Sequence, residues 1–280
     1  MAGIRVVTDS ACDLTPAMAD ANDVRVVPLA IRFGSEELID REELSIKEFW
    51  DRVVTGPDMP ETAAPSPGTF RQAYLDAAEA GCDGVVCITL SSGLSATFQA
   101  ASTAAADLPV DMPVRVVDSL TVTMGEGLLA LTAADMARQG RSLDEIVTEL
   151  ESLRGRTHVY GVLGSLDHLK KGGRIGGAAH LVGSLLSIKP VIEVRGGVVE
   201  VESKQRTRSR ALQYLAGKVL EAGPLERLAV ANGMARDIDE LVSLLEKARP
   251  QHEMVLSDLG PVIGAHAGPG TVGVCFQVAR

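Results

Sequence analysis

Short runs of Val and Ile alternate with longer amphipathic segments through the first half of the chain. Residues 4–7 read as a strand that runs into Thr8, Asp9 and Ser10. Residues 24–31 read as one extended run, residues 85–90 as a buried strand, and residues 114–117 as a strand ending at Asp118 and Ser119. Between these runs the spacing becomes helical. Ile46, Phe49, Trp50 and Val53 recur on one face after Ser45, and Glu48 stands where a capping box needs it. Residues 70–80 and the Ala-rich residues 95–106 also read as helices. Two more follow, the second opened by Ser142 with Glu145 three positions on. Residues 55–68 contain four prolines and cannot be regular throughout. Strands alternating with helices argue for a mostly parallel sheet flanked by helices.

The pattern changes at His158. Residues 159–163 predict a strand, residues 167–171 a short helix, and residues 176–186 a helix of small residues. Residues 188–194 and 198–201 flank Arg195, Gly196 and Gly197, the signature of a hairpin. Residues 209–222 and 238–248 are amphipathic helices, and residues 227–231, 254–259 and 273–278 are strands. The expected architecture is therefore α/β with two domains. Residues 1–155 form the parallel-sheet domain and residues 156–280 an α+β domain, joined at the polar stretch 154–157.

Composition narrows the function. The chain is 46% hydrophobic but only 3% aromatic, so the core must be aliphatic. A formal net charge of -10 argues against nucleic acid, whose phosphates require a basic footprint. Cys12, Cys82, Cys87 and Cys275 form no CxxC pair, which speaks against a disulfide framework or a metal site. The most apolar long segment, residues 180–194, contains Lys189 and Pro190 and does not read as a membrane span. The first residues lead directly into a strand pattern, so a cytoplasmic location is expected.

Polar chemistry collects after the strands. Thr8, Asp9 and Ser10, then Ser91, Ser92 and Ser95, then Asp118 and Ser119 each follow a strand of the first half. Ligands of open parallel sheets sit just beyond such strand ends, and recurrence at three of them favours a ligand site. The alternative is that these residues only cap the next helix. Ser95 is the sharpest candidate, because a helix N-terminus favours an anion. Thr62 lies in the stiff proline-rich loop. Residues 268–273 fit GxGxxG by letter but precede a strand rather than a helix, and no GxxxxGK[ST] or GxSxG motif is present.

In order and spacing these pieces resemble the DegV family of bacterial proteins. The resemblance rests on Thr8, Asp9 and Ser10 with Asp13 and Leu14, and on residues 62–66, where the family has TSQPS. It rests also on residues 90–97, where the family has LSSGLSGT, and on Asp118 and Ser119. In the second half it rests on residues 169–175 (LKKGGRI), on Lys189 and Pro190, on Arg206 and Thr207, and on Ala265 and His266 before Gly268. Ala63 and Ala64 stand in place of Ser-Gln, and Ala96 in place of Gly.

The resemblance implies a long-chain fatty acid buried in a tunnel between two domains, with no cofactor. In some bacteria family members serve in phospholipid synthesis by presenting the carboxylate to a separate ATP-binding fatty acid kinase subunit. Carried over, the carboxylate ligands are Thr62 and Ser95, with Arg174 and His266 beside them, and Arg206 and Thr207 are the docking element. The chain itself would then be a non-catalytic carrier. The competing reading is a stand-alone acyl or phosphoryl hydrolase that uses Ser95 with His266 as its base. The missing nucleophile elbow and metal cluster argue against it.

Overall fold

The structure, a computed structural model, describes residues 3–181 and 188–280. Its first half runs β1 (Ile4–Asp9), α1 (Pro16–Ala21), β2 (Val24–Val27), β3 (Ala30–Phe33), β4 (Glu36–Ile39), α2 (Ile46–Thr55), β5 (Glu61–Ala63), α3 (Pro67–Glu79), β6 (Gly84–Thr89), α4 (Thr97–Ala106), β7 (Val114–Asp118), α5 (Met124–Arg138) and α6 (Leu143–Arg154). The second half runs β8 (Thr157–Val162), α7 (Asp167–Lys171), β9 (Lys189–Arg195), β10 (Val198–Gln205), α8 (Arg208–Glu221), β11 (Leu225–Gly233), α9 (Ile238–Leu244), β12 (Val255–Asp258), α10 (Pro261–Ala267) and β13 (Thr271–Val278).

Three sheets result. The order β2-β1-β6-β7 is parallel throughout, and all six residues of β6 are buried. That burial explains its unbroken apolar run, since a central parallel strand is covered on both faces. The second sheet, β10-β9-β8-β13-β11-β12, is antiparallel except for its last pair. The third, β4-β3-β5, is small and antiparallel. The expected α/β fold, with a parallel helix-flanked sheet followed by a second sheet, is the one observed.

Several local expectations need correction. Residues 24–31 are not one strand. Pro28 has no N–H to donate, so the run breaks there, and β2 and β3 enter different sheets. The helix expected over residues 238–248 ends at Leu244. The helix expected over residues 176–186 begins as a 3-10 turn, Gly176–Leu181, and its remainder lies outside the described residues. α1, β4, β5 and α10 had no expectation at all. Both capping signals hold, unequally. Ser142 and Glu145 form the full reciprocal box. Ser45 accepts from Glu48 N, but the Glu48 carboxylate turns to Arg52.

α5 joins the halves. Its first eleven residues, 124–134, are buried all round, as in a helix enclosed by protein on every side. Leu128 and Leu129 pack in one core with Val6 and Val86 of the parallel sheet and with Val159, Ala229 and Cys275 of the six-stranded sheet. Gly125 makes the fit possible: a β-carbon there would lie 2.5 Å from Val159 Cγ2. The cysteines behave as expected. Cys12, Cys87 and Cys275 are buried, Cys82 is half-buried, and all four are free.

Candidate functional site

A largely apolar cavity lies where β8, β9, β10 and β13 meet α10 and the loops that follow β6 and β7. The cavity has a volume of about 110 Å³. One water needs roughly 10–15 Å³, so a chain of linked groups has room. Its walls include Leu29, Leu90, Leu94, Val122, Val159, Ile192, Val194, Leu259 and Val262. Thr62, Ser95, Arg174 and His266 all line it as well.

These four come from distant parts of the chain. Thr62 sits on β5, paired opposite Ile31 of β3. His266 sits near the end of α10, and its Nε2 lies 2.9 Å from Thr62 Oγ1. Arg174 follows the glycine turn after α7. Its Nε donates to Leu94 O at 3.0 Å and its Nη1 to Gly172 O at 2.6 Å. Ser95 is the residue after Leu94, two before α4. Its hydroxyl accepts from Thr97 N at 3.3 Å and lies 2.8 Å from Thr97 Oγ1.

The electrostatics are one-sided. Arg174 has no carboxylate within ion-pair range among the described residues. Burial, then the Arg174 charge, then His168, press His266 down to about 4, so its imidazole is neutral at pH 7. Nδ1 of His266 is buried and has no hydrogen-bond partner. The tautomer protonated at Nε2 leaves no buried N–H unpaired. In it His266 donates to Thr62, and the Thr62 hydroxyl hydrogen is free for an acceptor in the cavity. The polar groups are thus donors, arranged for an anion.

Two residues escaped the sequence reading. Gly172 packs under the His266 ring: a β-carbon there would lie 2.3 Å from Nδ1. The Gly-Gly before Arg174 was its only signal. Thr123 lines the cavity with φ 50° and ψ −143°. A β-branched residue at positive φ carries no sequence signal.

The expectation that the strand-end hydroxyls form a ligand site is corrected for all but Ser95. Thr8 donates to Glu126 Oε1 at 2.7 Å. Asp9 accepts from Ala11 N at 2.9 Å and Leu90 N at 2.8 Å. Ser10 accepts from Leu29 N at 3.0 Å, and Ser91 donates to Gly197 O at 2.7 Å. Ser92 bonds to Asp118, and Ser119 donates to Thr121 O. Each secures the fold, and none of them lines the cavity.

Ser95 and His266 make no hydrogen bond to each other: Ser95 pairs with Thr97 and His266 with Thr62. Arg206 and Thr207 lie apart from the cavity. Arg206 is exposed, while Thr207 caps α8 by accepting from Arg210 N at 3.3 Å. Arg208, beside them, is neutralised by a two-point bond to Asp237.

Fold and cavity together define a class: an α/β protein with a largely apolar pocket whose wall carries a guanidinium with no acid beside it among the described residues. The family model described as "Uncharacterised protein, DegV family" matches residues 3–279, and the chain belongs to the DegV family. It is 36% identical to a DegV domain-containing protein of Streptomyces coelicolor over 97% of both chains. Among solved structures, a DegV family protein from Thermus thermophilus, described by its fatty acid binding, is 33% identical with a TM-score of 0.91. The match covers 99% of this chain and all of that one. A stearic acid-binding protein from Eubacterium ventriosum is 28% identical with a TM-score of 0.86, over 98% of each chain.

Proposed function

We propose that this protein binds a long-chain fatty acid in the cavity, with its carboxylate among Thr62, Ser95, Arg174 and His266. The observation that carries this reading is the pairing of apolar walls with uncompensated donors. Each buried methylene contributes roughly 0.8 kcal/mol, so the chain supplies the driving force. The carboxylate is the costly end and needs charge-assisted hydrogen bonds once removed from water. Arg174 supplies charge, Thr62 and Ser95 supply hydroxyls, and neutral His266 orients Thr62. The fatty acids bound by the Thermus and Eubacterium relatives support the same ligand class.

Native mass spectrometry of the purified protein tests this directly. An added mass matching a fatty acid is expected, and a mass equal to the bare chain after exposure to fatty acid would reject it. Arg174→Ala is expected to reduce the preference for free acid over methyl ester, measured by competition binding.

We further propose a carrier role: the chain performs no chemistry on the acid and presents its carboxylate to a separate ATP-binding kinase subunit. The absence of nucleotide motifs supports this, as does the missing bond between Ser95 and His266, which a serine hydrolase would use. On this reading the chain divides into residues 1–155 and 156–280 with the ligand tunnel between them, and Arg206 and Thr207 dock the kinase. A cytoplasmic location fits the four free cysteines. No helix among the described residues is long and apolar enough to cross a membrane. The docking test is Arg206→Ala, with fatty-acid loading unchanged and phosphorylation by the kinase subunit impaired. Acyl phosphate formed from ATP by this chain alone would overturn the carrier role.

A further inference from the structure

Asp13 is a buried acid to which the binding site gives no task. It follows the 3-10 turn Ser10–Cys12 with φ 54° and ψ 20°, a left-handed conformation that Asp tolerates. It is 2% exposed and does not line the cavity. Its Oδ1 accepts from Gly260 N at 2.8 Å, and its Oδ2 accepts from Thr123 Oγ1 at 2.6 Å. Its main-chain carbonyl accepts from Ser257 Oγ at 2.6 Å. Arg41 Nη2 stands 3.6 Å from Oδ1.

Both carboxylate partners lead to the cavity. Gly260 caps α10, which brings Val262, Ile263 and His266 into the cavity wall. At seven residues α10 is too short to hold itself, so its contacts must place it. Trp50 Nε1 donates to Leu259 O at 3.0 Å, and Asp13 fixes the next residue. The approach is close enough to require glycine: a β-carbon on Gly260 would lie 2.8 Å from Asp13 Oδ1. Thr123, the other partner, lines the cavity in a backbone conformation that persists only where its surroundings hold it. Asp13 is its side chain's hydrogen-bond partner.

We propose that Asp13 is a positioning residue for the carboxylate end of the cavity, tying the helix that carries His266 to the turn that carries Thr123. This rests on the fatty-acid reading above and adds a residue that never touches the ligand. A residue that merely stabilised the fold would, when changed, weaken every ligand together. A positioning residue changes the recognition of the carboxylate selectively.

The experiment compares wild type with Asp13→Asn, measuring binding of palmitate and of methyl palmitate, the thermal midpoint, and the His266 titration by NMR. Asp13→Asn keeps the shape but leaves one acceptor oxygen where two donors, Gly260 N and Thr123 Oγ1, now bond. The expected result is a preference for acid over ester reduced about tenfold, the scale of one misplaced charge-assisted hydrogen bond. Ester affinity and the thermal midpoint stay near wild type, and His266 titrates above its value of about 4. An unchanged preference and titration would overturn the proposal, as would equal weakening of acid and ester with a lowered midpoint. A wild-type protein that binds acid and ester equally would instead reject the carboxylate site itself. Should Asp13→Asn not fold, Thr123→Val removes one of the two bonds at constant shape. The same selective loss is expected there, and an unchanged preference would overturn the proposal.

Discussion

Thr62, Ser95, Arg174 and His266 are half-buried donors on the cavity wall, and none of them pairs with a carboxylate among the described residues. Around Asp9, Asp13, Asp40 and Glu126 the polar groups are acceptors, and the chain's own donors hold most of them. Asp9 is met by two main-chain N–H groups and Asp13 by a third N–H and a hydroxyl. Glu126 accepts from Thr8. Burial pushes Asp13 up to about 7 and Asp40 to about 6, with Arg41 opposing it at both. Burial pushes Asp9 and Glu126 up too, each raised further by its acidic neighbours. Both regions are polar and withdrawn from solvent. The two oxygens of Asp40 have no hydrogen-bond partner, but Arg41 stands beside them at 3.9 Å, whereas Arg174 has no carboxylate within ion-pair range among the described residues. Burial and perturbed titration alone do not mark a ligand site; what distinguishes the cavity is a cation without a paired acid beside apolar walls.

The largest effect that could break this contrast is at Asp9. Asp9→Ala leaves two buried N–H groups without an acceptor, at about 1–3 kcal/mol each. Urea denaturation is expected to show a loss of about 2–6 kcal/mol, with Asp9→Asn losing less because it keeps one acceptor. A loss below about 0.5 kcal/mol, the range of ordinary surface substitutions, would remove the cluster's structural role.

Next in size is the double variant Thr62→Ala, Ser95→Ala. Its fatty-acid affinity is expected to fall by about 1.5–3 kcal/mol for each hydroxyl that bonds the charged carboxylate. Its thermal midpoint is expected to fall only slightly, since each hydroxyl bonds a single residue, Thr62 to His266 and Ser95 to Thr97. Wild-type affinity in this variant would show that the donors serve the fold, as the acids do.

The two regions also differ in the sign of their pH dependence. Asp13 is raised from 3.8 to about 7, so the folded state holds its proton more tightly than the unfolded chain. Its stabilisation is full below about 3.8 and is lost as pH rises through 7. His266 is lowered from 6.5 to about 4, so the unfolded chain binds the proton more tightly. Its contribution is full above 6.5 and is lost as pH falls through about 4. Denaturation curves between these limits should therefore lose a falling component in Asp13→Asn and a rising one in His266→Gln. The same slope in both variants would remove the distinction.

The smallest effect is expected at Arg206, which is exposed. Arg206→Ala should change stability by less than about 0.5 kcal/mol. A larger loss in thermal denaturation would give Arg206 a structural task and weaken its assignment to docking.

Sequence legibility followed burial. The strands β1 and β6 stood out because central parallel strands are rich in buried β-branched residues, and the edge strand β7 by its three valines. β3, β4 and β5 did not, being three or four residues long and partly exposed. α10 was missed because Pro, Gly and Ala in seven residues leave no amphipathic period. The hydroxyls after the strands looked alike as letters, yet only Ser95 reaches the cavity. Which of them faces a ligand depends on backbone direction at each turn, and sequence spacing does not encode that.

By itself the sequence determined the α/β class, the aliphatic core and the acidic balance of charge, and through its resemblance to the DegV family it pointed to four residues that the structure places on one cavity wall. Local pattern suffices for these, because hydrophobic period and turn chemistry act over a few residues. The tertiary structure alone decided that Thr62 and His266, 204 positions apart, share a hydrogen bond. It decided that Arg174 faces no acid among the described residues and that Asp13 bonds both Gly260 and Thr123. Those relations arise where separate elements pack, and the geometry of packing is fixed by the whole chain at once.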